Sequence, residues 1–441
     1  MQRKTTRPRL IQAMVDAVSL PDLRRKILFT LGILVVFRFL AHVALPVVDI
    51  GELEKFFEGN LLFGMLDLFS GGAMTNFSVV ALGVYPYITA SIIMQLLVPV
   101  IPRLQAISQE GELGSQKINR ITHLLIIPLA ALQGYAMLAL LRAQGVTIEP
   151  LGLLTIASTI ITMVAGTIFL VWLGELITER GIGNGISIII FGGIVAGLPG
   201  IVGRGIVTAV GGQPGELIAY IILSLAMMVL IVMFIEAHRR IPVQYARSTF
   251  RSGRMYRQSG SSYIPLRVNT AGMIPIIFAL ALMQLPGTIA TFFMNPTGQD
   301  PNFWNTIYNV FQAANPAPLG LIYQGLYFAL VIGFAFFYTM VIFEQMNLPQ
   351  TLQQQGGFIP GVRPGKTTAD YLNKVIRRIT FGGALFLAVV AIMPFIAKEI
   401  TGVATLVIQS TAMLIAVGVA LDTMKQLEAQ LTMRRYEGFL K

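Results

Sequence analysis

No cysteine occurs among the 441 residues, which removes disulfides, thiolate nucleophiles, iron-sulfur clusters and cysteine-ligated zinc together. Histidine is nearly as scarce. His42, His123 and His238 lie in separate segments with no His-x-x-x-His or His-Glu pairing, so a zinc site has no ligand set and each ring reads as a packed or surface side chain. Charge is the third scarcity, at 12% of residues against about 25% in soluble proteins. Hydrophobic residues reach 55% and mean hydropathy is +0.71. So little polar surface cannot cover the roughly three soluble domains that the length would otherwise allow. The chain is an integral membrane protein, and the same figures exclude a disordered one.

A membrane-crossing helix needs about 20 mostly apolar residues. Ten stretches qualify, near 27–48, 78–101, 121–141, 151–173, 184–203, 217–235, 270–293, 317–343, 379–397 and 403–421. The first follows Arg24, Arg25 and Lys26 with no small-residue cleavage site behind it, and reads as a retained span rather than a signal peptide. An even number of spans puts both termini on one side. That side carries 27 Lys and Arg and the other carries 4, namely Lys55, Arg142, Arg204 and Lys398, with Arg38 inside span one. Acidic residues divide about 12 to 9, as expected when cations alone set topology. Both termini are therefore expected in the cytoplasm of a plasma-membrane protein.

The spans form two runs of five, 27–203 and 217–421, between an N-terminal segment 1–26 and a C-terminal tail 422–441. An external linker, 204–216, joins them and contains Gly211-Gly212-Gln213-Pro214-Gly215. Five is odd, so a repeat of the halves must be inverted, an arrangement that places a working site near the bilayer midplane beside Gly- and Pro-interrupted segments. The second span of each half has such a segment: Gly83-Val84-Tyr85-Pro86 and Gly272-Met273-Ile274-Pro275. These two spans are the first candidates for a central pathway.

Tests for catalytic motifs fail. Gly361 to Thr367 looks like a phosphate loop, but the pattern requires glycine where Pro360 stands, and it reads as a stiff, turn-rich loop. Gly181-Ile182-Gly183-Asn184-Gly185 lacks the final step of a dinucleotide fingerprint and reads as a tight connection between two helices. No Ser/His pair, intramembrane aspartate pair or His-Glu-x-x-His is apparent, so no enzyme activity and no cofactor is expected. A secondary transporter of a small hydrophobic solute is the rival reading. Ion-coupled transporters carry ionisable groups near midplane, whereas no Asp, Glu, Lys, Arg or His occurs from Leu68 to Pro102. Arg38 is the exception, costing about 2.5–3.5 kcal/mol at a helix centre on insertion scales. It either faces a protein partner or snorkels.

Polar decoration is sparse. Thr89, Ser91 and Gln95 recur on span two at helical spacing, and Asn269 opens span seven. Such residues either tie helices together or hold a seam that can open. The stretch Leu61 to Ala73, which includes Phe63, Met65, Leu66 and Phe69, is too short to span and ends in Gly71-Gly72. Two readings stand: an interfacial helix, or a short helix folded back into the protein and hinged at those glycines. The loop 237–269 holds Arg239, Arg240, Arg247, Arg251, Arg254, Arg257 and Arg267, interleaved with Tyr245, Tyr256 and Tyr263. Arginine with aromatics suits RNA phosphates or an acidic protein surface, and part of the charge serves topology.

At these residues the chain resembles the SecY/Sec61-alpha family of protein-conducting channel subunits. The likeness rests on Phe69-Ser70-Gly71-Gly72-Ala73, on Gly83 to Ile88 continuing to Ser91-Ile92 and Gln95-Leu96-Leu97, on Trp172-Leu173-Gly174-Glu175 with Ile177 to Ser187, and on Phe358 to Gly365. It implies an all-α membrane protein of ten helices in two inverted halves around an hourglass pore, with a plug helix near 61–75. It also implies a constriction ring of Val84, Ile88, Ile186, Ile190, Ile277 and Ile415, and a lateral gate between spans two and three and spans seven and eight, with Thr89, Ser91, Gln95 and Asn269. The arginines of the cytoplasmic loop 237–269, Arg239, Arg240, Arg247, Arg251, Arg254 and Arg257, together with Arg363 of the cytoplasmic loop 344–378, would dock the motor ATPase SecA or the ribosome. The small membrane subunits SecE and SecG, signal peptides, nascent polypeptides and lipid are the other implied partners. The chain departs from the family pattern where Gln345, Gln350, Gln353, Gln354 and Gln355 stand in place of frequent paired lysines, which weakens RNA binding there. Val84, where isoleucine is common, keeps the ring apolar.

Overall fold

The computed structural model describes residues 20–53, 67, 70–143, 145–148, 152–210, 214–251, 254–291, 293, 302–311, 318–346, 348–401 and 410–437. In chain order these form α1 (Pro21–Leu40), α2 (Tyr85–Val100), α3 (Pro102–Ser108), α4 (Glu112–Ala143), α5 (Leu153–Arg180), α6 (Gly185–Val210) and α7 (Pro214–Glu236). A hairpin of β1 (His238–Arg251) and β2 (Arg254–Arg267) follows. Then come α8 (Ile274–Thr291), α9 (Phe303–Val310), α10 (Leu319–Met346), α11 (Leu348–Gln354), β3 (Gly357–Phe358), α12 (Lys366–Thr401) and α13 (Ser410–Glu437).

Among the described residues, four helical stretches are long and apolar enough to cross a membrane: Glu112–Arg142, Leu153–Arg180, Leu319–Gln354 and Lys366–Ile396. The pair α2 and α3 makes a fifth if counted as one span, bent by 102° at Ile101. Shorter apolar helices cover Gly185–Gly200, Ile221–Glu236 and Ile274–Gly287.

The chain divides into two compact units, one of residues 1–208, 284–320 and 415–441, the other of 209–283 and 321–414. In the first, α2, α4 and α5 enclose an apolar core of Leu82, Ala90, Ile126, Ala130, Leu138 and Met163. The loop after α1 closes this core from one end. Span one was expected to reach residue 48, yet its helix stops at Leu40. The backbone of 43–49 is bonded to other loops instead: Leu45 N–H donates to Phe77 O, Val79 N–H to Val43 O, and Ile148 N–H to Val47 O. Those non-local bonds satisfy groups that a longer helix would have paired within itself.

The turn between α5 and α6 bears out the reading of Gly181 to Gly185 as a tight connection. Asn184 Oδ1 accepts from Ser187 N–H at 3.1 Å and caps α6. Thr178 Oγ1 accepts from Gly185 N–H at 2.9 Å, and Thr30 Oγ1 of α1 accepts from Ile182 N–H at 3.3 Å. Here the helices nearly touch: a Cβ at Gly185 would lie 1.7 Å from the Gly174 carbonyl oxygen. Gly185→Val is therefore expected to destabilise this crossing by about 1–3 kcal/mol, the usual cost of overpacking. A lowered unfolding midpoint in detergent is the measurement. An unchanged midpoint would show that the crossing yields.

In the second unit the arginine-rich segment expected as a loop is an antiparallel hairpin of two 14-residue strands, with His238 opposite Arg267 and Arg251 opposite Arg254. Its signal was present in the sequence. Ile241, Val243 and Tyr245 recur at every second position, with Pro242 and Gln244 between them, and only Ser252-Gly253 separates the two runs. Ile241 and Val243 are buried and join Leu352, Ile359, Leu372 and Ile376 in an apolar cluster. β3 pairs with β1 through Gln244 and Phe358.

Candidate functional site

The two Gly-x-x-Pro segments take the same shape. Gly83 has φ 56° and Gly272 φ 65°, values that a side chain disfavours and glycine adopts freely. Val84 and Met273 precede the helices, Tyr85 and Ile274 begin them, and Pro86 and Pro275 occupy the second helical position, where a missing N–H costs no helical bond. The Ile88 N–H bonds Val84 O at 3.1 Å, and the Ile277 N–H bonds Met273 O at 3.4 Å. These glycines and prolines thus start helices rather than interrupt spans, so span two, expected from residue 78, begins as helix at Tyr85. Residues 70–84 are mostly turns, and within them Phe77 holds φ 41° with its side chain buried.

Ile88 and Ile277 stand at corresponding positions, each 9% exposed. Val84 and Ile88 lie one turn apart at the head of α2, as do Ile186 and Ile190 on α6, so each pair shares a helix face. Val84, Ile190 and Ile415 of α13 are buried. Ile186 is half-buried and leans on α5, where a Cβ at Gly174 would meet its Cγ1 at 2.8 Å. Ile277 belongs to the second unit and the other five to the first.

The polar residues of α2 have specific partners. Thr89 Oγ1 donates to Tyr85 O at 3.0 Å and accepts from Gln133 Nε2 of α4 at 3.3 Å. Gln95 Nε2 donates to Ser91 Oγ at 3.2 Å on the same helix. The Tyr85 hydroxyl donates to Gln284 Oε1 of α8 at 2.8 Å, a contact inside the first unit. Asn269 is buried in the second unit, three residues before Gly272. Gln133, Tyr85 and Gln284 escaped the sequence reading, although a lone amide in an apolar span was an available signal.

Of the residues expected in the plug, Phe63, Met65, Leu66 and Phe69 lie outside the described residues. Gly71 and Gly72 are described, and they are not placed as a free hinge. Gly71 has φ 70°, and a Cβ there would sit 2.7 Å from Gly193 Cα of α6 and 2.9 Å from Phe37 Cζ of α1. Its carbonyl accepts from Arg38 Nη1, so of the two readings of this arginine the structure gives it a protein partner. The Asp67 carboxylate accepts from Ser70 Oγ, the Met74 and Thr75 N–H groups and Thr75 Oγ1. Close packing with a positive φ explains Gly71, a φ of 82° alone explains Gly72, and Asp67 gathers the turn.

In the arginine-rich hairpin, Arg239 and Arg240 are exposed at the start of β1, and the Arg240 guanidinium stacks 4.9 Å from the Tyr263 ring centroid. The backbone of Arg247, Arg251, Arg254 and Arg257 lies in the hairpin, while their side chains lie outside the described ones. Arg363 is exposed beside Val362, which packs on the same apolar cluster as the hairpin. The tertiary structure thereby gathers two arginine-bearing segments, distant in sequence, onto one support. His123 Nε2 lies 3.0 Å from Glu175 Oε1, which joins α4 to the Trp172 to Glu175 segment.

A sequence profile of the SecY family matches residues 78–424. The protein translocase subunit SecY of Streptomyces lividans is 42% identical, over 98% of this chain and 100% of that protein. The protein translocase subunit SecY of Mycobacterium tuberculosis strain H37Rv is 40% identical, again over 98% of this chain and 100% of that one. Among solved structures, one described as a protein conducting channel superposes with a TM-score of 0.62 at 18% identity, covering 94% of this chain and 96% of that one. Sec61 from the canine ribosome-channel complex of the endoplasmic reticulum gives a TM-score of 0.63 at 19% identity, with the same coverage. At such identity these two bear on the fold.

Proposed function

The chain belongs to the SecY family, and from that premise we propose that it forms the protein-conducting channel of a plasma-membrane translocase. It passes unfolded secretory polypeptides across the bilayer and releases hydrophobic segments into lipid through a lateral gate. The full architecture we infer is ten spans in two inverted halves around an hourglass pore, with both termini cytoplasmic and a plug from the 61–75 segment. The observation that carries this reading is the identical start of α2 and α8, which sets Ile88 and Ile277 at equal positions on two helices free of Asp, Glu, Lys and Arg.

The constriction is formed by Val84, Ile88, Ile186, Ile190, Ile277 and Ile415. Branched apolar side chains exclude ions by dewetting when the pore is shut, and they yield to a passing chain because they make no directional bonds. Release at the gate is a partition equilibrium. Leu, Ile, Phe and Val favour lipid by about 0.3–0.6 kcal/mol each, while Asp, Lys and Arg oppose it by about 2.5–3.5. A run of about 20 apolar residues therefore gains roughly 6–12 kcal/mol and leaves sideways. Polar segments go through.

The hairpin arginines and Arg363 form the docking surface for SecA or the ribosome, and SecE and SecG complete the complex. The test is reconstitution into proteoliposomes with these partners. ATP-driven export of an unfolded precursor is the expected result. Uptake of a small solute, driven by a proton or sodium gradient into vesicles holding this chain alone, would overturn the reading.

A further inference from the structure

We propose that α9 is an interfacial lipid anchor, with its aromatic face seated in the headgroup layer of the bilayer and the end of α8 fixed there with it. The inference goes beyond the channel reading and rests only on the chain being embedded in a membrane. Residues 302–311 contain no Asp, Glu, Lys or Arg. Phe303, Trp304, Ile307, Tyr308 and Phe311 recur at helical spacing, while Asn302, Asn305, Thr306 and Asn309 fill the opposite side. A capping box starts the helix: Asn302 Oδ1 accepts from the Asn305 N–H at 3.0 Å, and Asn305 Oδ1 accepts from the Asn302 N–H at 3.2 Å. Its 8 residues make a rod of about 12 Å, too short to cross a bilayer. Without charge it has no means of binding an acidic or a basic surface. Rings on one side and amides on the other suit the layer where hydrocarbon meets water.

α9 is clipped to the end of α8. Asn302 Nδ2 donates to the Phe293 carbonyl at 2.8 Å, the Phe293 and Trp304 ring centroids lie 5.0 Å apart, and a Cβ at Gly287 would lie 3.6 Å from Phe311 Cβ. The exposed apolar surface continues across this joint. Leu285, Ile289 and Phe293 follow at four-residue steps along α8 and just past its end, all exposed, and Phe293 leads through Trp304 to Phe303, which is 71% exposed. On a membrane-embedded helix such a stripe faces lipid, and α9 carries it out to the surface layer. That continuity selects lipid as the occupant over a protein. The 18 residues of α8 span about 27 Å, close to the hydrocarbon thickness of about 30 Å. A helix of that length shifts or tilts at little cost, and an aromatic anchor at one end sets its depth.

Trp304 reports its own position. Trp172 is the other tryptophan of the chain, so Trp172→Phe leaves a single emitter. The full-length chain with that change is reconstituted into phosphatidylcholine vesicles whose lipid is brominated near either the headgroup end or the methyl end of its acyl chains. Shallow bromine is expected to lower Trp304 emission about twofold and deep bromine less, with iodide on both sides of the membrane having little effect. The same pattern is expected when phosphatidylglycerol is added. Phe303→Ser, which leaves the capping box intact, is expected to weaken the shallow quenching and admit iodide. Quenching by iodide with none by either lipid would overturn the proposal by placing α9 in water. Protection from all three quenchers would overturn it by placing protein over the ring. Quenching that requires phosphatidylglycerol would replace the anchor with a headgroup site, and a Phe303→Ser profile identical to its parent would remove the aromatic face from the membrane contact.

Discussion

Replacing Ile88, Ile190 and Ile277 together by serine is expected to turn a tight resting channel into one that leaks small ions. Each isoleucine contributes about 1.5–3 kcal/mol of preference for an apolar surrounding. Three replacements remove at least about 4.5 kcal/mol, several times thermal energy, and put hydroxyls in their place that bond water. The constriction then wets, and a wet narrow pore conducts. Ile88 and Ile190 are buried at 9% and 5% exposure, so loss of packing must be separated from loss of the seal. The matching triple change to valine keeps the positions apolar and is expected to remain tight. Single-channel recording in planar bilayers reads the result. Equal conductance in serine and native protein would remove these residues from the ring.

Arg363→Glu is expected to cut motor-driven export severely while leaving the fold intact. The backbone at this turn is held by contacts that do not involve the arginine side chain. Thr368 Oγ1 donates to the Arg363 carbonyl at 2.8 Å, Val362 N–H bonds Ile359 O, and Gly361 and Gly365 adopt φ of 82° and 104°. The guanidinium itself is exposed. Losing a central arginine anchor at a protein interface costs about 2 kcal/mol or more, roughly thirtyfold in affinity, and a reversed charge adds repulsion against an acidic partner. ATP-driven export at limiting motor concentration should fall accordingly and recover in part when the motor is added in excess. Unchanged export at limiting motor would take Arg363 out of the docking surface. A parallel drop in the unfolding midpoint would assign the loss to the fold instead.

How much was legible in advance can be judged element by element. The tight turn at Gly181 to Gly185 was readable because clustered glycines between two apolar runs leave few other conformations. The paired Gly-x-x-Pro segments were also visible, but their meaning was misjudged. Sequence periodicity places a proline inside an apolar stretch and cannot say whether the helix has already begun. The hairpin was missed because arginine content drew attention to charge, while the alternation of Ile241, Val243 and Tyr245 was the stronger structural signal. Gly71 and Gly72 suggested freedom of movement. The structure instead uses Gly71 for contact, since Phe37 and Gly193 leave no room for a side chain.

Membrane embedding, the lack of any thiol and the lopsided distribution of Lys and Arg between alternate loops follow from the sequence by itself. Each is a sum over residues, a transfer energy or a count of cations, and sums do not depend on where the chain turns. Which side chains meet is a different kind of quantity. Tyr85 finds Gln284 across 199 positions, and Arg38 finds the Gly71 carbonyl across 33. Hydrogen bonds act over about 3 Å, so these partnerships exist only once the backbone has brought distant segments within reach. Tertiary structure alone decided them.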